Sequence, residues 1–261
     1  MRRHLGWLIC TLLILSVTII SWKPAHAKKT IINSSNNLSA KALLDNYISN
    51  IYLSAHLPES GLEPDVFRKA LTGFINLKID DLLPHSSSVL TIVDYAKSSC
   101  EKRMWIIDVV NKELILNTLV AHGQGSGEDM ADHFSDHMDS HQSSLGFYLT
   151  DDIYYGKNGR SLRLDGLDVG FNTNARSRAI VVHGADYVSE AMIRQNGRLG
   201  RSFGCPAVSP QVADLVINTI KDKTVMFING NNDSYTSKYL NEDLAANYIS
   251  QDIGNSVMAN L

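Results

Sequence analysis

Near its middle the chain reads Trp105-Ile106-Ile107-Asp108-Val109-Val110-Asn111-Lys112-Glu113-Leu114-Ile115-Leu116-Asn117-Thr118-Leu119-Val120. Two β-type apolar runs flank the polar pair Asn111-Lys112, and a gap of two residues favours a tight β-hairpin. Further runs of the same kind, separated by glycine and asparagine, lie at 89–93, 146–149, 161–164, 179–182 and 225–228. Many short strands with turn residues between them predict a β core built as a sandwich or a barrel.

Helical patterns lie outside and within this β-rich region. Apolar side chains recur at three- and four-residue steps over 44–52 and again over 64–77, where Pro64 suits the first turn of a helix. A third pattern starts at Pro210, after the N-cap candidate Ser209. The predicted fold class is therefore mainly β with added helices (α+β), and a helical segment precedes the sheet.

The first 27 residues have the features of an export signal. Arg2 and Arg3 are followed by a run without charge from Leu5 to Trp22, and Ala25-His26-Ala27 fits a small-x-small cleavage site. We expect cleavage after Ala27 and a location in the periplasm or cell envelope. The alternative is an uncleaved membrane anchor, because a run of this length could just span a bilayer.

These patterns divide the chain into five segments. We predict a signal peptide (1–27), a polar linker (28–40), a helical cap segment (41–85), a candidate catalytic domain (86–235) and a C-terminal tail or helix (236–261).

Charge and cysteine content narrow the class of partner. The chain has 24 Lys and Arg against 27 Asp and Glu, a net charge of −3, and loss of the signal would lower it to −6. An acidic balance argues against nucleic acid as a partner. Beyond the signal only Cys100 and Cys205 remain, too few for a disulfide scaffold. A bond between these two is the alternative to a free thiol, and it would block Cys205 as a nucleophile.

The strongest candidate for chemistry is Cys205, in the segment Gly200-Arg201-Ser202-Phe203-Gly204-Cys205-Pro206. A β-like run ends in His183-Gly184, 22 residues upstream. A thiol becomes a good nucleophile when a base such as histidine removes its proton, and the helix predicted after Pro210 would favour the thiolate. Oxyanion donors are expected among the N–H groups around Phe203–Cys205, in the loop that contains Ser202, Phe203 and Gly204.

Two arginines flank the same loop. A guanidinium binds a carboxylate through two parallel hydrogen bonds, so Arg198 and Arg201 are candidates to hold an acidic group of the substrate.

The motifs resemble those of a known family. Ile180-Val181-Val182-His183-Gly184 followed by Ser202-Phe203-Gly204-Cys205 is similar to the His-Gly … Ser-x-Gly-Cys signature of the YkuD-type L,D-transpeptidase catalytic domain. The closer resemblance is to its variant branch, the murein L,D-transpeptidase catalytic domain family. The resemblance covers roughly residues 89–230 and is carried by the stretches 120–127, 143–148, 156–166, 178–187 and 197–208.

The resemblance implies a fold and a reaction. The fold is a mixed β-sandwich. Cys205 would cleave the bond before the terminal D-Ala of a peptidoglycan tetrapeptide stem, with His183 as base, and pass the acyl group to an amine. Gly184 and Tyr148 would join the two arginines in binding the stem peptide. With water as acceptor the protein would be an L,D-carboxypeptidase. No cofactor or metal is implied.

Two positions depart from the family pattern. The better-known branch carries an arginine shortly after Gly-Cys, where this chain has Pro206-Ala207, so Arg198 or Arg201 would have to supply the carboxylate contact. Asp136 stands where the variant branch leads us to expect asparagine.

A series of other histidines suggests a different class of function, metal binding. His133, His137 and His141 recur every four residues among aspartates, and on a helix they would form a metal-binding face, as in a metal-dependent hydrolase. His122-Gly123 is a second His-Gly pair, for which we expect a structural role. A non-catalytic peptidoglycan-binding module is the third alternative.

Overall fold

The computed structural model describes residues 34–258, with side chains from residue 40 to residue 252. The compact unit Ala40–Leu261 holds the sheet, and the unit Met1–Ser39 is described only from Ser34 onward. The predicted signal peptide and residues 28–33 of the predicted linker lie outside the described residues, whereas the first helix begins at Ser34. Within residues 34–258, no helix combines the length and the apolar character that a membrane span requires.

The described residues form five α-helices and eight β-strands. The helices are α1 Ser34–Ser54, α2 Pro64–Ile79, α3 Glu190–Asn196, α4 Pro210–Ile220 and α5 Glu242–Met258. The strands are β1 Val89–Asp94, β2 Met104–Asp108, β3 Glu113–Thr118, β4 Gly146–Gly156, β5 Gly159–Gly166, β6 Val181–Gly184, β7 Ala207–Val208 and β8 Val225–Asn229.

All eight strands belong to one mixed sheet in the order β3-β2-β1-β8-β4-β5-β6-β7. The pairs β1–β8 and β6–β7 are parallel and the other pairs are antiparallel. Just after β3, Ala121 forms an antiparallel bridge with Ala207 of β7, which links the two edges of the sheet. The predicted fold class, a mainly β core with added helices before it, is confirmed.

Helices α1, α2 and α5 pack on one face of the sheet. Successive side chains of a strand point to opposite faces, so Trp105 and Ile107 of β2 lie on this side and Ile106 on the other. Trp105 is fully buried, and its indole N–H donates to the Ser60 hydroxyl at 2.9 Å. The helical segment before the sheet therefore shares a core with the strands.

Helix α4 covers the other face. Its side chains Val216, Ile217 and Ile220 are fully buried against a second cluster that includes Tyr148 of β4 and Val182 of β6. Because α4 follows β7 directly, this packing fixes the chain just after Cys205.

Two elements were not predicted from the sequence. Helix α3 begins after Ser189, whose hydroxyl accepts the N–H of Met192 at 3.2 Å and so caps the helix. Strand β7 has only two residues, and its pairing with β6 is what positions the candidate nucleophile.

Candidate active site

The register of two short strands brings Cys205 next to the strand that carries His183. His183 pairs with Ala207 across the parallel strands β6 and β7. Val181 and Cys205 each precede one of these paired residues by two positions, and the N–H of Val181 donates to Sγ of Cys205 at 3.4 Å. Residues two apart on a strand share a face, so His183 projects on the same side as Val181.

Cys205 and His183 line one cleft of about 220 Å³. Phe203 lies at the surface of the protein, where it is 64% exposed, whereas His183 is buried and only 3% exposed. The complete lining is Lys157, Asn158, His183, Tyr187, Arg201, Ser202, Phe203 and Cys205. The structure therefore brings together five of the residues that the sequence singled out: Cys205, His183, Arg201, Ser202 and Phe203.

The thiol of Cys205 is protonated in the resting protein. Burial raises its pKa, and the N–H of Val181 and the charge of Arg178 offset only part of that effect. The pKa of this thiol is thus raised overall, and the expected contribution of the following helix stays a prediction. A nucleophile of this kind needs a base to take its proton during attack.

His183 has the tautomer that such a base requires. Its Nδ1 lies 2.9 Å from the carbonyl oxygen of Gly184, an acceptor, so Nδ1 carries the proton and Nε2 has the free lone pair. Burial lowers the pKa of His183, and the bond to the Gly184 carbonyl acts in the opposite direction. The imidazole is consequently neutral at pH 7 and can accept a proton. Gly184, predicted to bind substrate, thus contacts His183 through its carbonyl and is not among the described residues that line the cleft.

Ser202 holds the loop before Cys205 in shape. Its hydroxyl accepts the N–H of Gly204 at 3.0 Å and donates to the carbonyl of Cys205 at 2.7 Å. Gly204 has a φ of +115°, and a Cβ there would lie 2.7 Å from the carbonyl oxygen of Gln142. Only glycine fits this position without strain.

The same hydrogen bonds revise the expected oxyanion donors. The N–H of Gly204 is taken by Ser202, and the N–H of Ser202 donates to the carbonyl of His122 at 2.9 Å. Within residues 34–258, the N–H groups of Phe203 and Cys205 have no acceptor. The N–H groups of Phe203 and Cys205 are therefore open to a ligand, whereas those of Ser202 and Gly204, where donors were also expected, already have acceptors.

Two predicted substrate-binding residues lie elsewhere. Tyr148 is fully buried, and its hydroxyl donates to the carbonyl of Ser144 at 2.9 Å, so its expected role in the site is wrong. Arg198 is held by Glu128 at 2.9 Å and is not among the described residues that line the cleft.

Arg178 was missed by the sequence reasoning. Its guanidinium donates to the carbonyls of Ser135 (2.7 Å) and Gln142 (2.5 Å), and it therefore pins the 135–142 loop beside Gly204. A single arginine before a strand gives no pattern that would reveal this role. Lys157, Asn158 and Tyr187 were also missed as site residues, although they lie in the stretches 156–166 and 178–187 that carry the family resemblance.

His122 has a structural environment, as expected. It is 1% exposed, and its Nδ1 lies 2.7 Å from Nη2 of the buried Arg103. Burial, together with the Arg103 charge, lowers the pKa of His122 to about 4. The ring is therefore neutral and accepts a hydrogen bond from Arg103.

The histidine series at 133, 137 and 141 does not form a helix face. Residues 127–145 contain no helix, and His141 instead stacks on Phe203 with ring centroids 4.2 Å apart. In the described part of the chain, no three His, Cys, Asp or Glu side chains are grouped so that they could hold a metal ion. Cys100 and Cys205 are both free thiols, so the alternative of a bond between them is wrong for this structure.

A family match gives the class of protein. Residues 58–229 match the family model described as the L,D-transpeptidase catalytic domain. The chain belongs to this family, which confirms the resemblance drawn from the motifs. No curated protein sequence matches the chain.

Solved structures with some similarity to the chain come from several bacteria. An L,D-transpeptidase from Mycobacterium smegmatis has 13% identity and a TM-score of 0.33, with 54% of this chain and 58% of that chain covered. An L,D-transpeptidase from Xylanimonas cellulosilytica DSM 15894 has 15% identity and a TM-score of 0.32, with 56% and 63% covered. A helical cell shape determining protein from Campylobacter jejuni has 12% identity and a TM-score of 0.38, with 71% and 64% covered. The chain thus spans about three fifths of the length of these neighbours.

Proposed function

We propose that this protein is a peptidoglycan L,D-transpeptidase that uses Cys205 as nucleophile and His183 as base. The family match supports the reaction class. The observation that carries the assignment of residues is the cleft that Cys205 and His183 line together. The neutral state of both groups fits proton transfer at the moment of attack rather than a preformed thiolate.

In the first half-reaction, Sγ of Cys205 attacks the carbonyl carbon between the third residue of a tetrapeptide stem and its terminal D-Ala. The thiol proton passes to Nε2 of His183. The N–H groups of Phe203 and Cys205 face the oxyanion that forms. His183 then returns the proton to the leaving nitrogen, the C–N bond breaks, D-Ala departs and a thioester remains on Cys205.

In the second half-reaction, the amine of another stem attacks the thioester. His183, neutral again, takes a proton from that amine, the C–S bond breaks and the sulfur recovers its proton. The product is a cross-link between the third residues of two stems. Water in place of the amine would give an L,D-carboxypeptidase, and a protein lysine would attach that protein to the wall.

The proposed reaction implies a location and a set of partners. Peptidoglycan lies outside the cytoplasm, so the substrate matches the periplasmic or cell-envelope location expected from residues 1–27. Stem peptides are the proposed partners. We propose no nucleic-acid partner, and membrane contact only through an uncleaved N-terminal anchor.

Intact-protein mass spectrometry tests the proposal. The chain is incubated with a disaccharide-tetrapeptide, and the same mixture is analysed for muropeptide products. We expect a covalent adduct on Cys205 with release of D-Ala, and Cys205→Ala should form none. The product pattern separates cross-linking from hydrolysis. A free Cys205 thiol with neither adduct nor product would overturn the enzyme assignment and favour a non-catalytic peptidoglycan-binding module.

A further inference from the structure

The cleft is cationic although the chain is acidic. Lys157 and Arg201 are among the described residues that line it, and none of those residues is an acid. The net charge of the whole chain is −3. A positive cleft on an acidic protein suits an anionic group on the substrate.

The charge of Arg201 is already engaged. Its Nη1 lies 2.9 Å from Oε1 of Glu128 and donates to the carbonyl of Gly127 at 2.8 Å. Glu128 also pairs with Arg198, at 2.9 Å through the other carboxylate oxygen. Both arginines that were considered for carboxylate recognition are therefore paired with the same residue, Glu128.

Lys157 differs from these arginines. It is exposed, and in the part of the chain that the structure describes it has neither an ion pair nor a hydrogen-bond partner. Its ammonium group is thus the cation of the cleft that is available to a ligand.

Sheet register explains why Lys157 reaches the cleft. Lys157 and Asn158 form the turn between β4 and β5, where Gly156 pairs with Gly159. Ser161 of β5 lies opposite His183 of β6, and β6 ends at the next residue. Because β5 and β6 are antiparallel, Gly184 lies opposite Arg160, and the hairpin extends past the end of β6 by about two residues, roughly 7 Å. Its tip therefore projects beyond the strand end that carries His183.

We propose that Lys157 binds the terminal carboxylate of the tetrapeptide stem and thereby sets the preference for a stem with a free C-terminus. This inference rests on the proposed function. Lys157 is a specificity-determining residue in this proposal, and it replaces the arginine that the better-known family branch carries after the cysteine. The β4–β5 hairpin would position the D-Ala end, while Cys205 and His183 act on the bond before it.

Matched substrates and variants test the role of Lys157. Adduct formation on Cys205 is measured with a tetrapeptide stem that ends in a free carboxylate and with the same stem as a C-terminal carboxamide. The variants are Lys157→Met, which removes the charge at similar length, and Lys157→Arg, which keeps it. Lys69→Met, an exposed lysine on α2, is the control for loss of one positive charge.

We expect Lys157→Met to raise KM for the carboxylate stem about fivefold and to leave the carboxamide stem unaffected, as for a partly exposed ion pair. Lys157→Arg should restore the preference, and Lys69→Met should match the wild type. An unchanged carboxylate-to-carboxamide ratio in Lys157→Met would overturn the inference while the proposed function stood.

A binding measurement separates the two proposals. Cys205→Ala cannot form an adduct, so binding of the two stems to it reports recognition alone. We expect tighter binding of the carboxylate stem, and loss of that difference when Lys157→Met is added. If the wild type formed no adduct but this difference persisted, the chemistry would fail and the carboxylate site would stand. Equal binding of both stems to Cys205→Ala would overturn the site itself.

Discussion

The backbone N–H of Val181 donates to the sulfur of Cys205 at 3.4 Å. This contact ties the candidate nucleophile to the strand that carries the candidate base two residues later. It also partly offsets the effect of burial, which raises the pKa of the thiol. The site therefore combines a protonated thiol, a sulfur that accepts a hydrogen bond and a neutral imidazole.

Replacement of His183 by Gln should slow acylation of Cys205 by about a hundredfold or more, because general-base help of this kind has that size. The measurement is the rate of adduct formation with a tetrapeptide stem. Cys100→Ser serves as control, since its thiol lies outside the residues that line the cleft, and it should keep the wild-type rate. A His183→Gln rate equal to wild type would assign the proton transfer to another group.

Alkylation of Cys205 by iodoacetamide should be slow at pH 7 and should rise as the pH passes above 9. Only the thiolate reacts, and burial raises the pKa of this thiol from its usual 9.0. A Cys100→Ser background leaves one thiol to measure after removal of the N-terminal segment that carries Cys10. A reaction that reaches its plateau below pH 7 would show a preformed thiolate, contrary to the structure.

Acid should destabilise the protein through His122. Burial and Arg103 lower its pKa from 6.5 to about 4. Between these values the unfolded chain binds a proton and the folded chain does not, so the free energy of unfolding falls as the pH drops from about 6.5 to 4. Burial lowers the pKa of His183 as well, which acts in the same direction.

His122→Asn isolates that effect. An asparagine oxygen accepts a hydrogen bond from Arg103 and does not titrate in this range. Urea unfolding at pH 7 and pH 4.5 should therefore show a smaller loss of stability in His122→Asn than in the wild type. Equal losses in the two proteins would mean that other groups cause the acid sensitivity.

Gly204→Ala should destabilise the protein and slow acylation. Its φ is +115°, and the added Cβ would meet the Gln142 carbonyl at 2.7 Å. Gly197 is the matched control, with a φ of +70° and nothing within 4 Å of an added Cβ. Gly197→Ala carries the backbone strain of the αL region alone, about 1 kcal/mol, so the excess loss in Gly204→Ala measures the steric contact together with the greater strain at φ +115°. Equal unfolding midpoints for the two variants would show that the loop yields to the added methyl.

The strands and the candidate nucleophile were predictable because their signals are local. The run before Asn111-Lys112 and the run after it became β2 and β3, but β2 ends at Asp108, so the turn has four residues, 109–112, and the predicted two-residue gap is wrong. The thiol of Cys205 and the imidazole of His183 were likewise recognisable from short motifs. Each of these predictions depended on residues that are close in sequence.

The parts that failed depend on register and pairing across the chain. Tyr148 lies in a motif that resembles the family. Successive side chains of β4 point to opposite faces of the sheet, and that of Tyr148 points into the core. Arg198 lies outside the described lining of the cleft, and its pairing with Glu128, which Arg201 shares, was not foreseen. Lys157 enters the cleft only because β5 extends past β6. No pattern in the local sequence encodes these relations.

Ser202→Ala should reduce both stability and acylation, because the hydroxyl makes two hydrogen bonds that fix the loop before Cys205. Loss of two such bonds costs about 2 kcal/mol in the free energy of unfolding. The acylation rate should fall about tenfold or more, since the Cys205 thiol and the oxyanion donors depend on the same loop geometry.

Ser209→Ala is the matched control for Ser202→Ala. Ser209 stands at the start of α4, four residues after Cys205, and its side chain makes no capping hydrogen bond. This variant should keep the wild-type unfolding midpoint and acylation rate. If Ser202→Ala lost stability but kept its rate, the hydroxyl would support the fold without positioning the nucleophile. If both serine variants behaved alike, the hydrogen bonds of Ser202 would have no special part in the site.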